Sequence, residues 1–176
     1  ASDTVAIEPA NTLLLIDQFR KRYLRDDLDW QKDIRLLIEN FLQAAILKSN
    51  RLELILDAHA SIAFLCGSIL NLKSSIDISL IQKGRVGSRI WRADDAEAIS
   101  EVRLQTKTDF LGSENEIAVI ISISQNAEIL AKDYINKNLP YVGKVITFDL
   151  PNGPSHNAIE GGAHATLLAE QVSNTL

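Results

Sequence analysis

Two spacings of apolar residues alternate along this chain. Short apolar runs of strand length each end at a polar segment, and the strands predicted from them are 12–17, 52–56, 77–82, 117–123 and 144–149. Between the runs, apolar residues recur at helical spacing, and the helices predicted from them are 31–48, 61–72, 127–138 and 163–173. The pattern therefore predicts an α/β fold.

The order of the predicted elements divides the chain into two parts. Up to about residue 92 the order is β-α-β-α-β, which is typical of a right-handed, parallel Rossmann-like half. Residues 83–116 are less regular, with a possible strand at 102–106 and a turn at 112–115. A second β-α-β half follows. We predict one domain, 1–176, with pseudo-halves at about 1–92 and 93–176.

The predicted helices also suggest which side chains face the core. The helix at 61–72 is mostly apolar, including Phe64 and Leu65, and is predicted to be buried. In the helix at 127–138 we expect four side chains to face inward: Ile129, Leu130, Tyr134 and Ile135.

Composition limits the class of protein. The net charge is −5, which disfavours non-specific binding to long nucleic acid but allows a small anionic ligand. A single cysteine, Cys66, excludes an internal disulfide and fits a cytoplasmic protein. No apolar run reaches the ~20 residues of a membrane span, so we expect no membrane partner. The chain contains no methionine, and we expect it to be a piece of a longer protein.

Polar side chains gather where the predicted strands end. The segment 54–64 reads as a buried strand that turns directly into a helix, and open α/β sheets bind ligands at such points. A helix N-terminus there suits a phosphate. The candidate ligand-binding residues at the strand ends are Gln18, Phe19, Arg20, Asp57, His59, Ser61, Lys83, Arg85, Arg89, Trp91, Ser124, Ser155, His156 and Asn157.

Each candidate also has a purely structural alternative. Asp57 could cap the following helix, and His59 could be a structural histidine. Trp91 could cover the core, and the basic residues from Lys83 onward could form a solvated loop. The pair Gly161-Gly162 fits a helix start better than a phosphate loop, because the full phosphate-loop pattern is absent.

Evidence for catalysis is weak. The three histidines lack metal-ligand spacing, no GxSxG elbow or GxGxxG loop occurs, and Cys66 lies on the apolar face of a helix, where a thiol is usually inert. We therefore expect no catalytic residue, metal or cofactor in this chain. The alternatives kept open are a Rossmann-like hydrolase, a ring nuclease that cuts its own ligand, and a purely structural oligomerisation domain.

Four motifs in order resemble a known family. They are LLLIDQFRKRYL (13–24), LDAHASIAFLCGSILNLKS (56–74), ISLIQKGRVGSRIW (78–91) and PSHNAIEGGAHATLLAEQV (154–172). Together they resemble the SAVED domain, the sensor of bacterial CBASS anti-phage effectors, and most of all its HNH-nuclease group. The resemblance implies two fused CARF-like Rossmann halves with mainly parallel sheets.

The resemblance also implies a ligand and partners. The ligand is a cyclic oligonucleotide messenger, typically a cyclic dinucleotide such as cyclic GMP–AMP, whose binding drives homo-oligomerisation of the SAVED domain. The output is DNA cleavage by a fused HNH endonuclease, which is absent from this chain together with its divalent metal. DNA is thus a partner only through that effector domain.

Carried onto this sequence, the resemblance assigns roles to individual residues. Trp91 or Phe19 would stack on a base, a contact worth ~1–3 kcal/mol. Lys83 and Arg89 would meet phosphates, and His156 or Asn157 would read a base or ribose.

Overall fold

A computed structural model describes residues 11–21, 23–70, 76–83, 88–95 and 101–176. The chain forms two compact units, Ala1–Trp91 and Arg92–Leu176. Each unit combines helices with a three-stranded sheet, so the predicted α/β class is confirmed.

The first unit begins irregularly and then alternates helix and strand. A 3-10 turn at Ile16–Gln18 leads into a two-stranded antiparallel hairpin, and a π-helical turn at Trp30–Arg35 continues into the first α-helix. The remaining strands form one sheet in the order β3-β4-β5. The elements are β1 (Phe19–Arg20), β2 (Tyr23–Leu24), α1 (Leu36–Ile46), β3 (Arg51–Ile55), α2 (Ala60–Ile69), β4 (Asp77–Lys83) and β5 (Ser88–Arg92).

Helices α1 and α2 supply most of the core of the first unit. Its buried side chains are Ile34, Ile38, Leu42, Ile62, Leu65, Cys66 and Leu70. Asp29 starts the first helical segment, because its Oδ1 accepts from the backbone N–H of Gln31 and of Lys32, both at 2.9 Å. Burial raises the pKa of the Cys66 thiol, which agrees with the inert packing role predicted for it.

Three expectations for the first unit are wrong. Residues 12–17 form no strand, because Leu13 and Leu15 pack on the core without pairing to another strand. We expected a loop or irregular turn at 18–29, and this segment instead contains the β1–β2 hairpin. Phe64 on α2 is 82% exposed, since only the opposite stripe of that helix faces α1.

The second unit is built around one buried strand. Its sheet has the order β6-β8-β7, with β8 parallel to β7 and antiparallel to β6. The elements are β6 (Gln105–Phe110), β7 (Glu116–Ser122), α3 (Glu128–Asn138), β8 (Val142–Asp149) and α4 (Gly162–Thr175).

Alternate residues of β8 point to opposite faces and pack on different helices. Ile146 and Phe148 contact a cluster that includes Leu168 of α4, whereas Val145 lies in a cluster with Ile135 of α3. A helix therefore covers each face of this strand.

The inward face of α3 differs from the prediction. Only Ile135 of the four expected residues is buried, and Ile129, Leu130 and Tyr134 are exposed. The helix instead packs through a row at a spacing of four, Ala127, Ala131 and Ile135. Small side chains of this row therefore pack on the cluster around Val145, while the larger apolar residues of the helix are exposed.

The strands are paired in both directions. β3 and β4 are parallel, as are β7 and β8, but β1–β2 and β6–β8 are antiparallel. The sheets are thus mixed, whereas we expected them to be mainly parallel.

β5 was not predicted, and the possible strand at 102–106 is β6, which starts at Gln105. Within the described ranges, no helix has the length and apolarity needed to cross a membrane.

The glycine pair before α4 has a steric explanation. A Cβ at Gly162 would collide with the backbone carbonyl of Arg92, so any larger residue would force the two segments apart. A Cβ at Gly161 would lie 2.7 Å from Oδ1 of Asp95. The pair therefore permits close packing at a helix start, the structural alternative preferred for it above.

We predict that Gly162→Ala destabilises the protein by about 2 kcal/mol or more, because backbone atoms must move. Gly67→Ala on α2 is the matched control, since its new Cβ meets no atom within 4 Å. The control should be neutral or stabilising by up to about 1 kcal/mol. Urea unfolding of both variants measures the difference, and equal stabilities would contradict the steric argument.

Candidate ligand-binding site

Parallel pairing aligns the ends of β3 and β4. Ile55 pairs with Ile81, so Asp57 leaves the sheet at the level of Lys83, the last residue of β4. The side chain of Lys83 lies outside the described part of the structure, and so does the whole of Arg85. The predicted juxtaposition of these two strand ends is present in the backbone.

An aromatic pair lies at the carboxyl end of β3. The rings of Phe19 and His59 are stacked, with centroids 5.4 Å apart and planes 13° from parallel. Phe19 begins β1, and His59 stands at the N-cap position of α2. Two candidates that are distant in sequence are therefore in contact, and they present a flat surface suited to a base.

A second aromatic surface is formed on β4 and β5. The indole N–H of Trp91 donates to Oε1 of Gln82 at 3.0 Å, which fixes the edge of the ring. The guanidinium carbon of Arg89 lies 3.9 Å from the ring centre. Because Arg89 and Trp91 are two residues apart on one strand, both point to the same face of the sheet. Trp91 is thus held at its edge and covered on one face by a cation.

Helix α2 begins without a capping side chain. The N-cap residue is His59 rather than Asp57, and its side chain makes no capping hydrogen bond. No acidic residue lies in the first turn, where Ser61 is exposed. The positive end of the helix dipole is therefore not neutralised by a local carboxylate, and Asp57 does not take the N-cap position considered for it.

The candidates in the second unit lie on two loops that touch each other. Ser124 follows β7, and the backbone N–H of Ser155 donates to the carbonyl of Ile123 at 2.9 Å. Ser155 also accepts from the backbone N–H of Asn157 at 3.3 Å. Ser124, Ser155, His156 and Asn157 are all exposed. These residues thus gather at the carboxyl ends of the parallel pair β7–β8.

The remaining candidates lie near the hairpin of the first unit. Oε1 of Gln18 is buried and has no hydrogen-bond partner within the described ranges. Arg20 is exposed and lines an open groove together with Asp17, Phe19 and Tyr23. A buried carbonyl oxygen without a donor is costly, so a donor supplied by a ligand or water would stabilise it.

Two residues of interest are not among the candidates predicted from the sequence. Gln82 ends a predicted strand, and no sequence signal ties it to Trp91. Asp95 lies in a charged stretch of the irregular segment 83–116. Its signal was indirect: α4 starts at a glycine pair that has no capping side chain, so a cap had to come from elsewhere. Across the described segments, no three His, Cys, Asp or Glu side chains cluster in a way that could hold a metal ion.

Most of this chain is similar to known proteins. Residues 34–176 match SAVED, the SMODS-associated and fused to various effectors sensor domain. The chain is also 34% identical over 168 residues to CD-NTase-associated protein 4 of Enterobacter hormaechei subsp. hoffmannii (strain UCI 50). That alignment covers 96% of this chain and 33% of the relative, so the chain spans about a third of the relative's length.

We predict that Gln82→Leu loosens the Trp91 ring, because the indole edge loses its acceptor. In a Trp30→Phe background, which leaves Trp91 as the single tryptophan, the fluorescence anisotropy should fall. Gln105→Leu, an exposed strand residue, is the control. Unchanged anisotropy in Gln82→Leu would mean that the hydrogen bond does not hold the ring.

Proposed function

Because this chain belongs to the SAVED family of sensor domains, we propose that it binds a cyclic oligonucleotide messenger in CBASS anti-phage defence. The observation that carries the proposal is the gathering of aromatic, cationic and polar side chains at the carboxyl end of the β3–β4 pair. A cyclic oligonucleotide needs stacking surfaces for its bases and positive charge for its phosphates. Stacking surfaces and positive charge both occur in this chain, and its family is described as a sensor domain.

Specific roles follow from the contacts. The exposed face of the Trp91 ring or of the Phe19–His59 pair stacks on a base. Lys83, Arg89 and the uncapped start of α2 meet phosphates, since each supplies positive charge or backbone donors. The buried Oε1 of Gln18 takes a hydrogen bond from the ligand.

The candidates of the second unit have proposed roles of their own. His156 or Asn157 reads a base or ribose, and Ser124 and Ser155 supply hydroxyl groups. Support comes from the hydrogen bond that joins their two loops and from the exposure of all four side chains. We further propose that each unit corresponds to one CARF-like Rossmann half, in keeping with the parallel strand pair and two helices that each contains.

Assembly and output belong to the same proposal. Ligand binding drives homo-oligomerisation in the cytoplasm and activates a fused effector. The relative is about three times as long as the aligned region, which is consistent with further domains in that protein. An HNH DNA endonuclease as the effector rests only on the likeness of the motifs, and a nuclease assay of the full-length protein with Mg²⁺ and double-stranded DNA tests it.

Isothermal titration calorimetry against cyclic GMP–AMP, cyclic tri-AMP and cyclic tetra-AMP tests the proposed ligand class. Binding of one ring by folded protein, with linear oligonucleotides of the same bases as the control, supports a sensor. Absence of heat with every ring contradicts the proposal. Chromatography of the recovered ligand separates a sensor from a ring nuclease, because a sensor returns the ring intact.

We predict that Lys83→Ala and Arg89→Ala each weaken binding of that ring by about tenfold, because a charge-assisted phosphate contact is lost. The dependence of affinity on salt should also become shallower. Lys48→Ala, at an exposed position after α1, is the control and should bind like the wild type. If both site variants keep the wild-type affinity and salt dependence, the phosphate assignment is wrong.

A further inference from the structure

Strand β7 lies at one edge of the sheet of the second unit. The strand order is β6-β8-β7, and among the described strands β7 pairs with β8 alone. Its other edge therefore offers backbone N–H and C=O groups to a further strand. Edge strands of natural proteins are commonly protected by charged residues or proline, but β7 contains neither after its first residue, Glu116.

One face of β7 carries a row of apolar side chains that are not covered. Ile117, Val119 and Ile121 are 43%, 38% and 46% exposed. Val119 and Ile121 pair with Ile146 and Phe148 of β8, so this row shares the face of the sheet on which α4 packs. The cluster around α4 buries the two β8 side chains but includes no member of the β7 row.

Helix α3 adds apolar side chains on the other face of the same edge. Lys132 donates to Asp109 of β6 at 2.6 Å, so one flank of α3 faces β6. Leu130 and Tyr134 lie on the opposite flank, since successive residues of a helix are about 100° apart, and that flank faces β7. They are 78% and 59% exposed. Apolar side chains thus border the open edge of β7 on both faces.

The sequence of β7 is complementary to a second copy of itself. An antiparallel pairing about a two-fold axis at Val119 places Val119 opposite its own copy and Ile117 opposite Ile121. The whole strand is then paired, because Glu116 lies opposite Ser122. Residues that are directly opposite share a face, so the β-branched side chains of both copies form one continuous apolar row.

Charge also favours a second copy as the partner. Glu116 alternates with Ser122 onto the α3 face, and Oγ of Ser122 accepts from the backbone N–H of Ala127, the N-cap residue of α3, at 3.3 Å. The acid in the first turn, Glu128, is already paired with Lys132. In the antiparallel pairing, Glu116 of the second copy approaches the positive end of the α3 dipole, where a carboxylate is favourable.

We infer that two copies of this chain associate through their β7 edges and join the sheets of their second units into one. Strand pairing satisfies the backbone groups of the open edge, and burial of the apolar row with Leu130 and Tyr134 drives association. This contact needs no ligand, so the inference goes beyond the proposed messenger binding and does not depend on it.

Sedimentation velocity of this chain without any cyclic oligonucleotide tests the inference. We expect a dimer that dissociates on dilution, with both species present between about 1 and 100 µM protein. A monomer throughout this range overturns the inference. That result leaves the proposed function untouched, because binding of a ring is measured separately by calorimetry.

Substitution at the two-fold axis tests the pairing itself. Val119→Lys places two like charges opposite each other, and we expect the dissociation constant to rise at least about tenfold. Thr108→Lys is the matched control and should dimerise like the wild type, because Thr108 lies level with Val119 across Ile146, on the other edge of the sheet.

Mixing oppositely charged variants provides a rescue. Val119→Lys and Val119→Glu should each be monomeric alone and should dimerise when mixed in equal amounts, since unlike charges then meet at the axis. A dimer unaffected by Val119→Lys overturns the inference. So do folded Lys and Glu variants whose mixture stays monomeric.

A second pair of variants on α3 decides the matter if thermal unfolding shows that Val119→Lys is not folded. Leu130→Lys places a charge on the flank that faces β7 and should raise the dissociation constant about tenfold. Ile129→Lys is its control, because Ile129 is 77% exposed and lies opposite the row of α3 that packs on the sheet. Equal dissociation constants for these two variants would then overturn the inference.

Discussion

Parallel pairing of neighbouring strands determines where the candidate residues lie. In each unit one parallel pair, β3–β4 or β7–β8, brings two strand ends to the same edge of a sheet. The loops that follow must then start side by side, whatever their sequences. The Phe19–His59 stack and the bond between Ser155 and Ile123 both form at such edges. An antiparallel pairing would send the two ends in opposite directions and separate these groups.

Contacts within the chain already engage both aromatic surfaces. Phe19 stacks on His59, and Arg89 covers one face of Trp91. Such contacts are worth about 0.5–1.5 kcal/mol each and hold the rings in defined planes. A ligand that inserts between the partners must replace these contacts, whereas one that stacks on an outer face keeps them. Pre-ordering of this kind lowers the entropic cost of binding.

Two helix starts illustrate how one physical feature is used differently. Both α2 and α4 present backbone N–H groups and a positive dipole end. At α4 the carboxylate of Asp95 occupies those donors, so the helix start belongs to the framework of the protein. At α2 the N-cap residue His59 makes no side-chain capping bond, and the donors adjoin the Phe19–His59 pair. The start of α2 is therefore the one that our proposal assigns to a phosphate, although the glycine pair makes α4 the more suggestive sequence.

Much of the secondary structure could be predicted because its patterns are local. The helices α1 and α4 and the strands β3, β4, β7 and β8 follow from apolar spacing, and the order of four motifs indicated the SAVED family, which the comparison confirms. The pattern failed where pairing decides the outcome. The apolar run at 12–17 resembles a strand but pairs with none of the strands described, and β5, which was not predicted, adds to the sheet at β4.

The sequence by itself determined the elements, the family and the loops that hold the candidate residues. Only the tertiary structure decided which side chains meet: His59 with Phe19, Gln82 with Trp91, and Asp95 with the start of α4. It also decided that α3 packs through alanines while its larger apolar residues are exposed. The physical reason is range. Hydrophobic periodicity is written in neighbouring residues, but a hydrogen bond between residues 67 positions apart depends on how the chain returns on itself.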